Sequence, residues 1–233
     1  MAIDVFRRKE TKYLMTKEQY EELYELIKDH LEKDKYYKSK ICNIYFDTDN
    51  YDLIVKSLEK PFYKEKVRLR SYDIPDQDSI VFLEIKKKYE GIVGKRRIEM
   101  RLRDFYSYLE SGELKNVSKQ ISKEIDYCFK YYNLKPKLFL AYDRLSYYDK
   151  DNINFRITFD KNIRSREDNL RLEFGDKGKL YFNEEMYMME TKALNAYPIW
   201  FSKILSKLKI YPISFSKYGN IYQDKLKESD VYV

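Results

Sequence analysis

Between Lys64 and Arg103 the chain reads as three consecutive segments in which charged and apolar residues alternate. In the first, Lys64, Lys66, Arg68 and Arg70 share one face of an extended strand, because strand side chains alternate with a period of two; Val67 and Leu69 take the other. In the second, Phe82, Glu84, Lys86 and Lys88 oppose Val81, Leu83 and Ile85. In the third, Lys95, Arg97, Glu99 and Arg101 oppose Ile98, Met100 and Leu102. Turns at 75–78 and 90–94 are short enough to imply antiparallel pairing. Solvated sheet faces produce alternation too, but they usually mix charge signs with Ser and Thr. Here the polar face is mostly cationic, with neighbours roughly 6.6 Å apart along each strand. Like charges at that density repel unless an anion neutralises them.

The rest of the chain supplies more strands and helices to cover their apolar faces. Val5 to Met15 alternates, with Phe6, Arg8, Glu10, Lys12 and Leu14 on one side. Thr16 and Gln19 form a capping-box pair opening a helix whose stripe is Tyr20, Leu23, Tyr24, Ile27 and Leu31. Ile41 to Thr48 reads as a strand, and 49–58 as a turn-rich or helical piece. Asp104 is the expected N-cap of a short helix through Leu109, ended near Gly112. Val117, Ile121, Ile125, Cys128, Phe129 and Tyr132 mark a further helix stopping before Pro136. Strands are expected over Leu138–Tyr147, Ile153–Asp160, Ile163–Glu167, Leu170–Phe174 and Met186–Ala193. Pro198 opens a last long helix to about Lys209, and Ser214 to Tyr222 reads as a loop or short helix.

The expected fold is therefore α+β, a single domain over 1–233. Helices on the apolar faces leave the charged faces pointing at one another or at water. An antiparallel β-barrel tunnel of about eight strands, with a charged lumen and helices packed on the outside, resolves this. Burying so many cations unpaired costs several kcal/mol per ion, which a threaded polyanion and a divalent metal on the acidic members offset. Lys87, on the opposite parity, is expected to face solvent.

Composition narrows the chemistry. A formal charge of +7 points to anionic partners. One histidine, His30, argues against histidine catalysis or a zinc site. Cys42 and Cys128 lack metal-ligand spacing and read as buried thiols of a reducing compartment. No apolar run reaches membrane-spanning length and the N-terminus is too charged for a signal peptide, so the expected location is cytoplasmic. The 25 tyrosines read as packing residues rather than base-stacking platforms, which disfavours nucleic acid.

An ordered set of short motifs resembles the VTC (vacuolar transporter chaperone) domain, the polyphosphate polymerase module of the triphosphate tunnel metalloenzyme superfamily. The set comprises Arg7-Arg8-Lys9-Glu10-Thr11-Lys12-Tyr13, Ile44-Tyr45-Phe46-Asp47-Thr48, Val67-Arg68-Leu69-Arg70, Leu83-Glu84-Ile85-Lys86 and Gly94-Lys95-Arg96-Arg97. It continues with Tyr142-Asp143-Arg144-Leu145-Ser146-Tyr147, Phe155-Arg156-Ile157-Thr158-Phe159-Asp160, Met189-Glu190-Thr191-Lys192 and Phe215-Ser216-Lys217-Tyr218. The resemblance implies an eight-stranded tunnel binding ATP, triphosphate or polyphosphate with a divalent metal, Mn2+ or Mg2+. By motif, Lys12, Arg68, Arg70, Lys86 and Arg144 would act at the reacting phosphates, and Lys95 and Lys217 would hold phosphate. Arg97 and Arg156 join them by strand alternation. Glu190 matches the family's metal-binding carboxylate, with Glu10 and Glu84 as further lining carboxylates. The implied activity is transfer of the γ-phosphate of ATP to a growing polyphosphate chain. A tripolyphosphatase or nucleoside triphosphatase using the same tunnel is the alternative, and a non-catalytic polyphosphate-binding module a third reading. Eukaryotic relatives add an inositol-phosphate-sensing domain and membrane helices that are not found in this sequence, which leaves a membrane-protein partner open. Ser214 stands where those relatives tend to carry a further basic residue.

Overall fold

A computed structural model describes residues 9–90, 92–113, 119–194 and 196–230. The expected strand residues 5–8 and helix residue Val117 lie outside these. Nine strands make one hydrogen-bonded sheet: β1 (Lys9–Thr16), β2 (Leu31–Asp47), β3 (Tyr63–Tyr72), β4 (Ile80–Tyr89), β5 (Ile92–Arg101), β6 (Lys135–Asp149), β7 (Arg156–Arg166), β8 (Lys179–Leu180) and β9 (Met186–Ala193). Their order is β1-β9-β7-β6-β2-β3-β4-β5, with β8 beside β7. The ladders β1–β9, β7–β9, β2–β3, β3–β4 and β4–β5 are antiparallel. The helices are α1 (Lys17–Ile27), α2 (Asp52–Leu58), α3 (Leu102–Ser111), α4 (Lys119–Tyr132), α5 (Ile199–Lys207) and α6 (Lys217–Asp230). The architecture is the expected α+β one, an antiparallel sheet with helices on its apolar surface.

The chain divides into two compact units, and β2, β6 and β7 each contribute residues to both. The first comprises 1–39, 142–163 and 180–215. Its core places Leu23 and Ile27 of α1 and Phe201 and Leu205 of α5 on Tyr13, Met15, Ile157, Phe159, Tyr187 and Met189. The odd-numbered residues of β1, β7 and β9 thus face the helices, and the even-numbered ones form the opposite, polar face. The second unit comprises 40–141, 164–179 and 216–233. Leu102 and Phe105 of α3 and Ile125 and Phe129 of α4 cover Ile44, Val67, Leu69, Val81, Leu83, Ile85 and Ile98. Its polar face is the basic face read from the sequence.

Several boundaries differ from the sequence reading. The Thr16–Gln19 capping box is present, but α1 ends at Ile27 in a 3₁₀ turn, and Leu31, though buried, begins β2. The α3 helix starts at Leu102 with Arg101 as N-cap, so Asp104 lies in its first turn. Two expected strands are one, β7: Asn162 takes a left-handed backbone (φ 51°) inside it and donates to Asp143. Leu172–Phe174 is a 3₁₀ turn instead of a strand, and the loop or short helix expected over Ser214–Tyr222 is the start of a 14-residue helix, α6. Lys87 is not simply solvated: it pairs with Glu124 of α4 at 3.3 Å.

Candidate functional site

In the second unit the β-ladder register places the polar residues in rows across the strands. One row runs Tyr45, Arg68, Glu84, Arg97; the next brings Lys66, Lys86 and Lys95 abreast. Glu84 is almost wholly buried and is clasped by cations from both neighbouring strands. Arg68 donates from Nε to Oε2 at 2.8 Å, and Arg97 from Nε to Oε1 at 2.7 Å. Lys95 Nζ reaches Oε1 at 2.6 Å. Burial alone would raise the Glu84 pKa, but Arg68, Arg70 and Lys95 overcome it and hold the carboxyl well below the usual range. Lys95 moves the other way: partial burial, aided by repulsion from Arg97 and Arg68 and opposed by Glu84, lowers its pKa to about 8.

Packing and hydrogen bonds fix these side chains in place. The Arg97 guanidinium lies 4.3 Å from the Phe82 ring centre, and Arg68 also donates to the Tyr45 hydroxyl at 3.3 Å. Arg70, buried at the adjacent row, donates Nε to Asn43 Oδ1 at 2.9 Å, and Asn43 Nδ2 in turn donates to the Leu140 carbonyl. The ring of Tyr218 at the start of α6 meets Tyr45 at 4.8 Å, and its hydroxyl donates to the buried Asp47 carboxylate at 3.0 Å. That contact sets the position of its neighbour Lys217, which is half-buried. Lys86 is exposed on the same face as Glu84.

The polar face of the first unit holds the remaining predicted residues. Lys12 lies opposite Glu190, and Glu10 opposite Lys192, so acids and bases alternate diagonally across β1 and β9. Lys12 Nζ donates to the Phe215 carbonyl at 2.8 Å, and Lys192 pairs with Glu190 at 2.6 Å. Thr158 of β7 stands on the other side of Glu190. Arg144 grips the fully buried Asp160 with two bonds, Nε to Oδ1 at 2.6 Å and Nη2 to Oδ2 at 2.8 Å. Arg156 is exposed and 3.6 Å from Asp34.

The sequence profile of the VTC domain matches residues 7–224. The chain belongs to the VTC domain family. No curated protein matches this VTC-family chain. Among solved structures, a candidate adenylate cyclase from Bacillus halodurans has 16% identity and a TM-score of 0.57, over 90% of this chain and 95% of that one. A candidate adenylyl cyclase from Hippeastrum, described as revealing a dominant triphosphatase activity, has 15% identity and a TM-score of 0.54, over 92% and 95%. These two likenesses support the fold of the VTC domain.

Oxygen-rich positions decide where a hard divalent cation fits this VTC domain. Glu84 is unsuitable while three cations occupy its two oxygens. Glu10 and Glu190 form a diagonal pair on one face, where Lys192 holds a single Glu190 oxygen at 2.6 Å, so fewer cations compete there than at Glu84. Among the described residues no three His, Cys, Asp or Glu side chains gather to hold a metal by themselves. Two supporting residues escaped the sequence reading. Asn43 shows only as a polar residue between Cys42 and Ile44, and Asp160 as the even-numbered partner of Arg156 and Thr158, a parity that by itself assigns no role.

Proposed function

We propose that this VTC domain is a metal-dependent polyphosphate polymerase that transfers the γ-phosphate of ATP to a growing polyphosphate chain. The observation that carries this reading is the clasp on Glu84. Arg68, Lys95 and Arg97 converge on one carboxylate within a face that is otherwise basic, so their donors are already aimed at a small set of anionic oxygens. Phosphoryl transfer needs little covalent help; it needs aligned reactants and neutralised non-bridging oxygens. The two arginines offer planar forks and the lysine a compact charge.

In this proposal phosphate oxygens take over from Glu84 as acceptors for Arg68, Arg97 and Lys95. Arg70, held by Asn43, and Lys86 extend the contact along β3 and β4. Lys217 binds a further phosphate in the clasp's own unit; in the first unit Lys12, Arg144 and Arg156 are the proposed phosphate ligands, Arg144 by sharing its fork with Asp160. Glu190 and Glu10 would hold Mg2+ or Mn2+, and the bound ion would supply charge neutralisation at a phosphate group.

Incubation with ATP and manganese, followed by chain-length analysis on a gel, tests the reading: a ladder of products is expected. Orthophosphate release without a ladder would replace it with the second reading, triphosphate hydrolysis, which the triphosphatase activity described for the Hippeastrum neighbour favours. Tight binding of triphosphate with no turnover across several metals would leave only a binding module.

A further inference from the structure

Five exposed apolar side chains of the second unit gather at one end of its sheet. Phe62, just before β3, is 79% exposed, and Tyr89 and Ile92, on either side of the turn between β4 and β5, are each more than half exposed. Register joins them: Tyr63 is opposite Tyr89, Tyr89 is opposite Ile92, and the Glu90 N–H donates to the Phe62 carbonyl at 2.9 Å. The α4 helix adds two more rings. Its Glu124 reaches Lys87 and Arg96 beside this end. Tyr127 and Tyr131 lie within about 60° of Glu124 around the helix, at 100° per residue. They stack on each other at 5.2 Å, each more than half exposed. The Tyr131 ring meets Tyr132 edge-on at 4.8 Å, and Tyr132 shares the Glu65 carboxylate with Tyr63. Apolar residues exposed singly are ordinary; five on one stretch of surface mark a contact.

Charge narrows what the contact is with. Lys60, Lys64 and Lys88 stand at the same end, and among the described residues none of the three has an ion-pair partner. Burial, then the charges of Lys88, Lys60 and Lys86, lower the Lys64 pKa, so these ammoniums are within range of one another. Lys87 and Arg96 are already taken by Glu65 and Glu124. Glu59 and Glu90 are the exposed acids beside the three lysines, which leaves the end net positive. Protein interfaces also favour tyrosine and phenylalanine, but they are depleted in lysine. Rings mixed with lysine suit an anionic bilayer instead, where aromatics settle at headgroup depth and ammoniums meet lipid anions. Among the described residues no helix is long and apolar enough to cross a membrane, so such a contact is peripheral.

We infer that this end of the second unit docks on the surface of an anionic lipid bilayer, with its rings at headgroup depth and its three unpaired lysines against the lipid anions. The contact is separate from the Glu84 clasp and does not depend on the reaction proposed there.

Co-sedimentation with vesicles, of phosphatidylcholine alone or of equal parts phosphatidylcholine and phosphatidylserine, tests this. The wild type is expected on the mixed vesicles only, and added salt should weaken it. Phe62→Ser/Tyr89→Ser leaves every charge in place and should bind the mixed vesicles about tenfold more weakly, because apolar area is withdrawn from the interface. Lys60→Gln/Lys88→Gln keeps the rings and should lose about tenfold or more, each ammonium near such a surface being worth about fivefold. Phe62→Trp reads insertion directly. Its emission should shift to the blue on mixed vesicles, while the wild type, whose single tryptophan Trp200 belongs to the other unit, should not shift. An unshifted Phe62→Trp, or undiminished binding by Phe62→Ser/Tyr89→Ser, would overturn the docking and reduce vesicle binding to plain attraction by the basic face. A wild type found on neither vesicle would also overturn it. So would a dimer in solution that Phe62→Ser/Tyr89→Ser dissociates, which would assign the patch to a second copy of this chain.

Discussion

Glu84 does at residue scale what a bound phosphate would do, holding three cations at short range in a site that would otherwise repel itself. Glu84→Gln keeps the shape and removes the charge. The expected result is a protein destabilised by about 2 kcal/mol in anion-free buffer, below the 3–5 of a fully buried pair because Lys95 and Arg97 are partly exposed. Triphosphate should restore the melting temperature of this variant and bind it more tightly than the wild type. Lys95 carries the pH dependence. With its pKa near 8, it sheds its proton in the folded state well below the ordinary lysine range. Between pH 8 and 10.5 the unfolded chain binds more protons at this site, so its contribution to stability rises with pH. On the proposed reading, its contribution to anion binding should fall over the same window. Titration of triphosphate affinity from pH 7 to 9.5 should show a several-fold loss, abolished in Lys95→Arg.

At the scale of elements, Asp47 illustrates how a strand end organises a helix. Its carboxylate accepts from the backbone N–H of Leu53 and Ile54 at 2.8 and 3.0 Å, capping α2 from outside the helix, and also takes the Tyr218 hydroxyl from α6. Burial raises its pKa against the pull of these bonds. Asp47→Ala strands buried donors on two elements and should cost about 2–3 kcal/mol in chemical denaturation. Thr16→Ala, which removes an ordinary capping box, should cost about 1. The legible elements were those with one apolar and one polar face: β3, β4, β5 and β9 follow from alternation alone, and the start of α1 from its cap. The first part of β2 was invisible because Glu32 to Lys40 is polar on both faces. The β7 strand was split because Lys161-Asn162 looks like a turn, and Asn162 does adopt a turn residue's backbone without breaking the strand. The α6 helix reads only as a loop or short helix because its polar composition hides the stripe that Tyr218 begins.

For the molecule as a whole, the net charge of +7 and the expanse of lysine and arginine on the polar faces make stability depend on dissolved anions. Triphosphate at a hundredfold excess over its dissociation constant should stabilise the fold by about 2.7 kcal/mol. A thermal melt would register the gain, and moderate salt should erode it. The basic character of the site was legible from periodicity. Its internal neutralisation was not, because the meeting of Glu84 with Arg68 and Arg97 depends on strand register, and short-range alternation leaves register unspecified. The same holds for Arg144, whose partner Asp160 is on the neighbouring strand in the chain and has no sequence mark of its own.

The clasp also bears on release. A site made only of cations would bind its product hardest at the moment it should let go. On the proposed reading, the departing phosphate would be replaced by a tethered carboxylate that never diffuses away, so the vacated donors would find an acceptor at once. Glu84 would thereby work as an exchange partner, lowering affinity in return for turnover, and the site without phosphate is a closed salt bridge instead of an open charge.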